Sequence, residues 1–221
     1  MWKMAQREFR TLYMQYWNWQ GLGILVFVVL YSVLLNGEGA IFNFFMMISG
    51  ISILALTEVE NRNKVYKTIL SIPCTRKEYV YGKFMANVLW ICIMAIIGLL
   101  LNLVLNFISP AKFVMVSAGV VKILISYILI CTGIYYLVYF AVGIKWAKIA
   151  YFVSFIAMMI GIISVFNVAQ NLSTFTGFIG KLIKIFESKS IINNVILIII
   201  VSGIEVLLAY ISFIFYDKKD F

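Results

Sequence analysis

Long apolar segments alternate with short polar ones along the chain. Six such segments can be drawn, most of them close to or above the roughly 20 residues that a helix needs to cross the hydrocarbon core. They cover residues 21–35, 40–56, 84–108, 113–142, 149–166 and 191–216. Both prolines, Pro73 and Pro110, fall between segments rather than within them. The pattern predicts an all-α, polytopic membrane protein with six transmembrane helices.

Two other stretches have the period of an amphipathic helix but are too short or too charged to span. In residues 1–18, Trp2 and Phe9 fall on one face, and Arg7 and Arg10 fall on the other. This arrangement predicts an interfacial helix, which we expect to be retained because the following apolar run has no clear signal-peptidase site. Residues 167–190 are expected to form an outer amphipathic or re-entrant segment.

The composition excludes several classes of function. Of the 221 residues, 64% are hydrophobic and 12% are charged, and the mean hydropathy is +1.03. Soluble domains do not have such values, and residues 1–221 therefore form a single transmembrane domain. The net charge of +9 is spread over short connections, which favours membrane lipid as a partner over nucleic acid. The sequence has no histidine, and we expect no catalytic site and no metal site.

The basic residues predict the orientation of the chain. With both termini in the cytoplasm, most lysines and arginines fall on the inner side, including those of residues 1–18, of residues 58–83 and of the turn with Lys145 and Lys148. Cytoplasmic connections of membrane proteins carry such an excess of positive charge. We predict a multi-pass protein of the cell membrane with the N-terminus and the C-terminus inside.

Residues 58–83 form the one long, strongly charged segment between two apolar runs. Thr57 and Thr75 are each followed three residues later by glutamate, a spacing that fits a capping box. The spacing predicts two short cytoplasmic helices separated by Pro73. The first has an apolar face with Arg62 on the opposite side; that face contains Val65, Tyr66, Ile69 and Leu70. Such a helix can dock into a groove of a partner protein or lie on the bilayer surface.

Several short motifs occur together in this region. Glu58 or Glu60 follows the second apolar segment, and the third begins with Val80 and Lys83. Between them lie Leu70-Ser71-Ile72-Pro73 and Thr75-Arg76-Lys77. With this combination, residues 52–84 resemble the small bacterial permeases of the ABC-2 type transporter family. Ile72 and Cys74 depart from the commoner leucine and valine or isoleucine, and residues 6–10 are also similar to that family's N-terminal helix.

The resemblance implies the transmembrane subunit of an ATP-driven transporter. In that family, two permease chains form a homo- or heterodimer and two separate ABC ATPase subunits bind ATP and Mg²⁺. No P-loop motif occurs in this sequence, so no cofactor is expected in the chain itself. The segment after span two carries the coupling helix in that family. The resemblance therefore assigns ATPase coupling to Glu58, Glu60, Arg62, Val65, Tyr66, Ile69 and Leu70.

Three polar residues within the apolar segments are candidates for the substrate pathway. Glu205 lies in the middle of the sixth segment, where a carboxylate is costly and should face the bundle or a cavity. It could bind a cationic or amphipathic substrate, or it could be a structural residue near Lys122. Asn102 and Asn106 lie four residues apart on the third segment, where helix–helix hydrogen bonding is the alternative to lining a pathway.

Three classes of function are compatible with these features. The leading one is an exporter permease for hydrophobic or amphipathic substrates, such as a peptide, a drug or a lipid. The alternative is a non-transporting membrane immunity or sensor-accessory protein, which would have no dedicated ATPase partner. A membrane-embedded enzyme is disfavoured because the sequence lacks histidine and any recognisable cluster of catalytic carboxylates.

Overall fold

In a computed structural model of the chain, the described residues are 40–62, 75–108, 116–171 and 191–218, together with Gln6; for residues 40, 41, 62, 158–171 and 191 only the backbone is described. The predicted interfacial helix of residues 1–18 and the first predicted span, 21–35, lie outside this part apart from Gln6. Most of the outer segment 167–190 also lies outside it. The prediction of six transmembrane helices therefore stays a prediction.

The described residues fold entirely into helices. There are five: α1 (Ala40–Arg62), α2 (Arg76–Ile108), α3 (Ala118–Ala141), α4 (Ile144–Asn171) and α5 (Ile191–Asp217). Each coincides with most or all of one predicted apolar segment, which confirms the all-α fold for this part of the chain. By length and composition, the described residues contain four helices able to cross a membrane, and these are α1, α2, α3 and α5.

The connection between α1 and α2 differs from the expectation. The prediction that Thr57 caps a new helix is wrong, because α1 continues to Arg62 and the Thr57 hydroxyl donates to carbonyl groups of its own helix. Helix α1 can continue because Glu58 and Glu60 meet lysines of neighbouring helices, so neither carboxylate is left unpaired.

The second capping box is confirmed. The Glu78 N–H donates to Thr75 Oγ1 at 3.2 Å, and the Thr75 N–H donates to Glu78 Oε2 at 3.0 Å. This reciprocal pair satisfies backbone donors at the start of α2. From there α2 continues without a break to Ile108, so Lys83 belongs to a long helix rather than to a loop.

Helices α3 and α4 form a hairpin with a connection of only Val142 and Gly143. Gly143 has a φ of +121°, a backbone conformation that is open to glycine and strained for other residues. Its N–H donates to the carbonyl of Val138, and its own carbonyl accepts from Ala147 in the first turn of α4. The chain therefore leaves one helix and begins the next with almost no loop.

Helix α3 lies at the centre of the bundle and packs against each of the other four helices. It runs parallel to α5 at a constant offset. Lys122 Nζ donates to Asn194 Oδ1 at 2.8 Å. Eleven residues further along each helix, Gly133 of α3 faces Glu205 of α5. The apolar core is formed mainly by α1, α2 and α3, and much of the surface of α5 is exposed and apolar.

Candidate functional site

The polar and aromatic contacts of the bundle gather at one end, where α1 ends and α2 begins. Helix α2 has 33 residues and is therefore about 50 Å long, whereas the hydrocarbon core is about 30 Å thick. Its first turns carry Arg76, Lys77 and Glu78 and begin where the apolar part of α1 has ended. The length of α2 in excess of the hydrocarbon thickness therefore carries charged residues at this end, where α2 follows segment 63–74 in the chain.

A buried ion pair joins α1 to α2 at this end. Lys83 Nζ donates to Glu60 Oε2 at 2.5 Å, and only 1% of Lys83 is exposed. The ammonium group also lies 5.4 Å from the centre of the Tyr79 ring, within the range of a cation–π contact. Since buried charges are costly unless paired, each residue needs the other to occupy this position.

Two further contacts connect the end of α1 to α3 and α4. The Thr57 hydroxyl shares a hydrogen bond with the buried hydroxyl of Tyr135 on α3. Glu58 accepts a hydrogen bond from Lys148 on α4, in a pair that is partly exposed. The last two turns of α1 therefore contact α2, α3 and α4 through polar side chains.

The start of α2 is tied to the end of α5. Arg76 Nη1 donates to the backbone carbonyl of Asp217 at 2.7 Å. Just inside the bundle, the rings of Tyr79, Phe140 and Tyr216 form a mutual cluster with centroids 5.2 to 5.9 Å apart. Contacts at this one end thus join all five described helices.

Glu205 is the principal polar residue of the bundle interior. It is 7% exposed, and neither carboxylate oxygen has a hydrogen-bond partner among the described residues. A Cβ at Gly133 would be 3.0 Å from Glu205 Oε1, so the glycine leaves space for the carboxylate on the surface of α3. The expected proximity to Lys122 is wrong, because Lys122 binds Asn194, about 16 Å along α5.

Asparagines and hydroxyl groups connect α2 to its neighbours near the middle of the bundle. Asn87 Nδ2 donates to Thr132 Oγ1 at 2.9 Å, and Trp90 Nε1 donates to Ser52 Oγ at 2.7 Å. Asn102 is buried and Asn106 is half-buried, further along α2. Within the described part, no group of three or more acidic, cysteine or histidine side chains could hold a metal ion.

The comparison with known families decides what kind of protein carries this bundle. A family model described as ABC-2 family transporter protein matches residues 9–216. The chain belongs to this family. A search of curated proteins and a search of solved structures each found no match.

Membership of the ABC-2 family confirms the resemblance drawn from residues 52–84. Together with the apolar helices, it identifies a membrane transport protein of the permease type. ABC-2 permeases are the transmembrane components of ABC transporter systems and are generally not catalytic themselves.

The structure places the predicted coupling residues in two groups. Glu58 and Glu60 lie on the last turns of α1, with Arg62 as its final residue, and both carboxylates pair with lysines of the bundle. The apolar face formed by Val65, Tyr66, Ile69 and Leu70 lies outside the described residues. The structure thus describes how the segment is anchored and leaves its docking face as a prediction.

Sequence reasoning missed most of the residues that meet at this end. Lys83 was noted only as part of a motif, and its pairing with Glu60 needed the fold. The contact of the buried Tyr135 side chain with Thr57 has no sign in the sequence, because the two residues are 78 positions apart. The sequence did contain one signal for the Glu60–Lys83 pair. A glutamate at the end of one apolar helix and a lysine at the start of the next should pair if both are buried.

Proposed function

We propose that the chain is the permease subunit of an ATP-driven exporter. It moves hydrophobic or amphipathic substrates, such as a peptide, a drug or a lipid, out across the cell membrane. A separate ABC ATPase subunit binds ATP and Mg²⁺, and a second permease chain completes the pathway as a homo- or heterodimer. Membership of the ABC-2 family supports this proposal.

The coupling role of the segment between α1 and α2 is supported by one structural observation. Helix α2 is longer than the hydrocarbon is thick and its charged first turns follow segment 63–74 in the chain, which supports a position of that segment within reach of a water-soluble ATPase. Its apolar face, with Val65, Tyr66, Ile69 and Leu70, fits the groove-docking mode of an amphipathic helix. Glu58, Glu60 and Arg62 form the end of α1 that precedes this segment, and the two glutamates pair with Lys148 of α4 and Lys83 of α2.

In the proposed orientation, the end that carries the coupling segment is cytoplasmic. Arg76, Lys77, Lys145, Lys148 and Lys218 all belong to this end of the described helices. Cytoplasmic ends of membrane proteins are enriched in lysine and arginine. Both termini of the chain are then inside the cell.

The first experiment is a mild-detergent pulldown of the tagged chain from its native membrane. We expect a stoichiometric P-loop ATPase to be retained, and a Val65→Asp/Ile69→Asp variant to lose it. Recovery of the wild-type chain without an ATPase would contradict the proposal and favour an immunity or sensor-accessory protein. A matched Val104→Asn/Leu103→Asn variant, altered at exposed positions near the other end of α2, should retain the ATPase.

A further inference from the structure

The Glu60–Lys83 pair joins the two helices that flank segment 63–74, which is called the coupling segment below. Glu60 lies two residues before the end of α1, and Lys83 lies seven residues after the start of α2. The lysine side chain is completely buried, and the glutamate side chain is one-tenth exposed. The end of α1 and the start of α2, which flank segment 63–74 in the chain, are therefore held together inside the protein.

Stability alone does not account for a pair of this kind. Removing two charges from water costs about as much as their attraction returns, so apolar side chains of similar volume would hold the helices together equally well. An ion pair, unlike an apolar contact, also requires that its two charged groups keep one fixed relative position. A slip of α1 against α2 by one residue, about 1.5 Å, would separate Nζ from Oε2 and break this buried ion pair, which is costly.

We propose that Glu60 and Lys83 are positioning residues that fix the register of α1 against α2. With this register fixed, α1 and α2 move as one body when the coupling segment is displaced. The inference rests on the proposed function, because the displacement is supplied by the ATPase. It deepens that function by assigning the pair to force transmission rather than to the ATPase contact itself.

The neighbouring contacts extend this motion to the rest of the bundle. On α1, Thr57 binds Tyr135 of α3 and Glu58 binds Lys148 of α4. On α2, Arg76 binds the end of α5. Some of these contacts start from α1 and one starts from α2. They displace α3, α4 and α5 together with the coupling segment only if α1 and α2 keep a constant register.

The test uses the permease–ATPase complex in vesicles of phosphatidylethanolamine and phosphatidylglycerol. Spin labels at Ile51 on α1 and Met85 on α2, both exposed positions, report the distance between the helices with and without ATP. ATP hydrolysis is measured with and without an amphipathic helical peptide as the probe substrate. The informative variant is Glu60→Met/Lys83→Met, which replaces the ion pair by an apolar pair and should still fold.

In the wild type we expect an unchanged label distance through the nucleotide cycle. In the apolar variant we expect normal thermal stability and normal ATPase binding, but a nucleotide-dependent distance and a loss of peptide stimulation by about tenfold, within the usual range of coupling between sites. The swapped variant Glu60→Lys/Lys83→Glu should restore both readouts. The control is Lys122→Met, which removes an inter-helix lysine contact at the opposite end and should change neither.

Two results would overturn the inference. Wild-type distances and stimulation in the apolar variant would show that the pair only fills space. Weaker ATPase binding with an unchanged distance would show that Glu60 belongs to the docking surface. Failure of the wild-type chain to bind any ATPase is a different result, because it refutes the proposed function itself and is seen before any variant is compared.

Discussion

At the scale of single residues, glycines mark where helices come closest. Gly50 of α1 faces the buried ring of Tyr151 on α4; an added Cβ would overlap the tyrosine hydroxyl and lie 3.2 Å from Cζ. Tyrosine is rigid beyond its two torsions, and the surroundings of this ring are packed, so it cannot move aside at low cost. The α1–α4 contact therefore depends on the absence of a side chain at position 50.

We expect Gly50→Ala to lower the free energy of unfolding by about 1–3 kcal/mol, the usual cost of overpacking a helix contact. The measurement is the midpoint of thermal unfolding in detergent. Gly203→Ala is the matched control, since no atom of the described residues lies within 4 Å of a Cβ at that position on α5. Equal midpoints for the two variants would contradict the predicted clash.

Glu205 supports a second prediction at this scale. If its carboxylate contacts a cationic group of the substrate, Glu205→Gln should lower transport of a cationic amphipathic peptide by about tenfold, the effect of losing one charge-assisted hydrogen bond. Uptake into inverted proteoliposomes measures this. A neutral peptide of the same length should be transported at the wild-type rate. Loss of assembly with the ATPase would instead identify Glu205 as a structural residue.

Residue pairs were the least predictable part of the site. The sequence singled out Glu58, Glu60 and Glu205, because charged residues next to apolar runs are visible without a structure. It did not reveal that Lys83 binds Glu60 or that the Glu205 carboxylate packs against Gly133, since both contacts join residues far apart in the chain. Such contacts depend on how the helices are rotated, which their nearly uniform hydrophobicity leaves open.

At the scale of elements, the apolar segments predicted the five described helices well, and the ends were the uncertain part. The sixth segment, 191–216, became α5 with one added residue. The second and third segments became helices that are longer by six and eight residues at the charged end, α1 and α2. The bounds of an apolar segment indicate which residues lie in the hydrocarbon. The bounds of a helix depend instead on which partners its terminal backbone groups and charged side chains have.

The coupling helix predicted for the segment 58–83 gives a prediction at the same scale. Aspartate at Val65 and Ile69 would place charges on the apolar docking face, and desolvating them in a groove is costly. We expect the Val65→Asp/Ile69→Asp variant to insert normally in the membrane. We expect it to lose most of the ATP hydrolysis that the peptide stimulates. Asn63→Asp, which adds one negative charge on the predicted polar side of the helix, is the control and should keep normal stimulation. Normal stimulation in the double variant would refute the docking face.

At the scale of the whole molecule, the described helices alternate in direction, and their charged ends lie together. If that end is cytoplasmic, a cysteine at Lys145 should react with a membrane-impermeant maleimide only in inverted vesicles. A cysteine at Ala118, at the opposite end of α3, should react only in intact cells. The experiment needs a background in which Cys74, Cys92 and Cys131 are replaced by serine, and labelling of position 145 in intact cells would reverse the orientation.

The connection of Val142 and Gly143 has a consequence for how the protein is made. Because two residues allow only a tight turn, we expect α3 and α4 to enter the bilayer together as a hairpin during synthesis. The turn also leaves no room for added sequence, because a longer link would have to replace the positive φ of Gly143 and the bond to Val138. In a library of in-frame insertions, this turn should be among the least tolerant places in the gene, although it connects two helices at the charged end of the bundle.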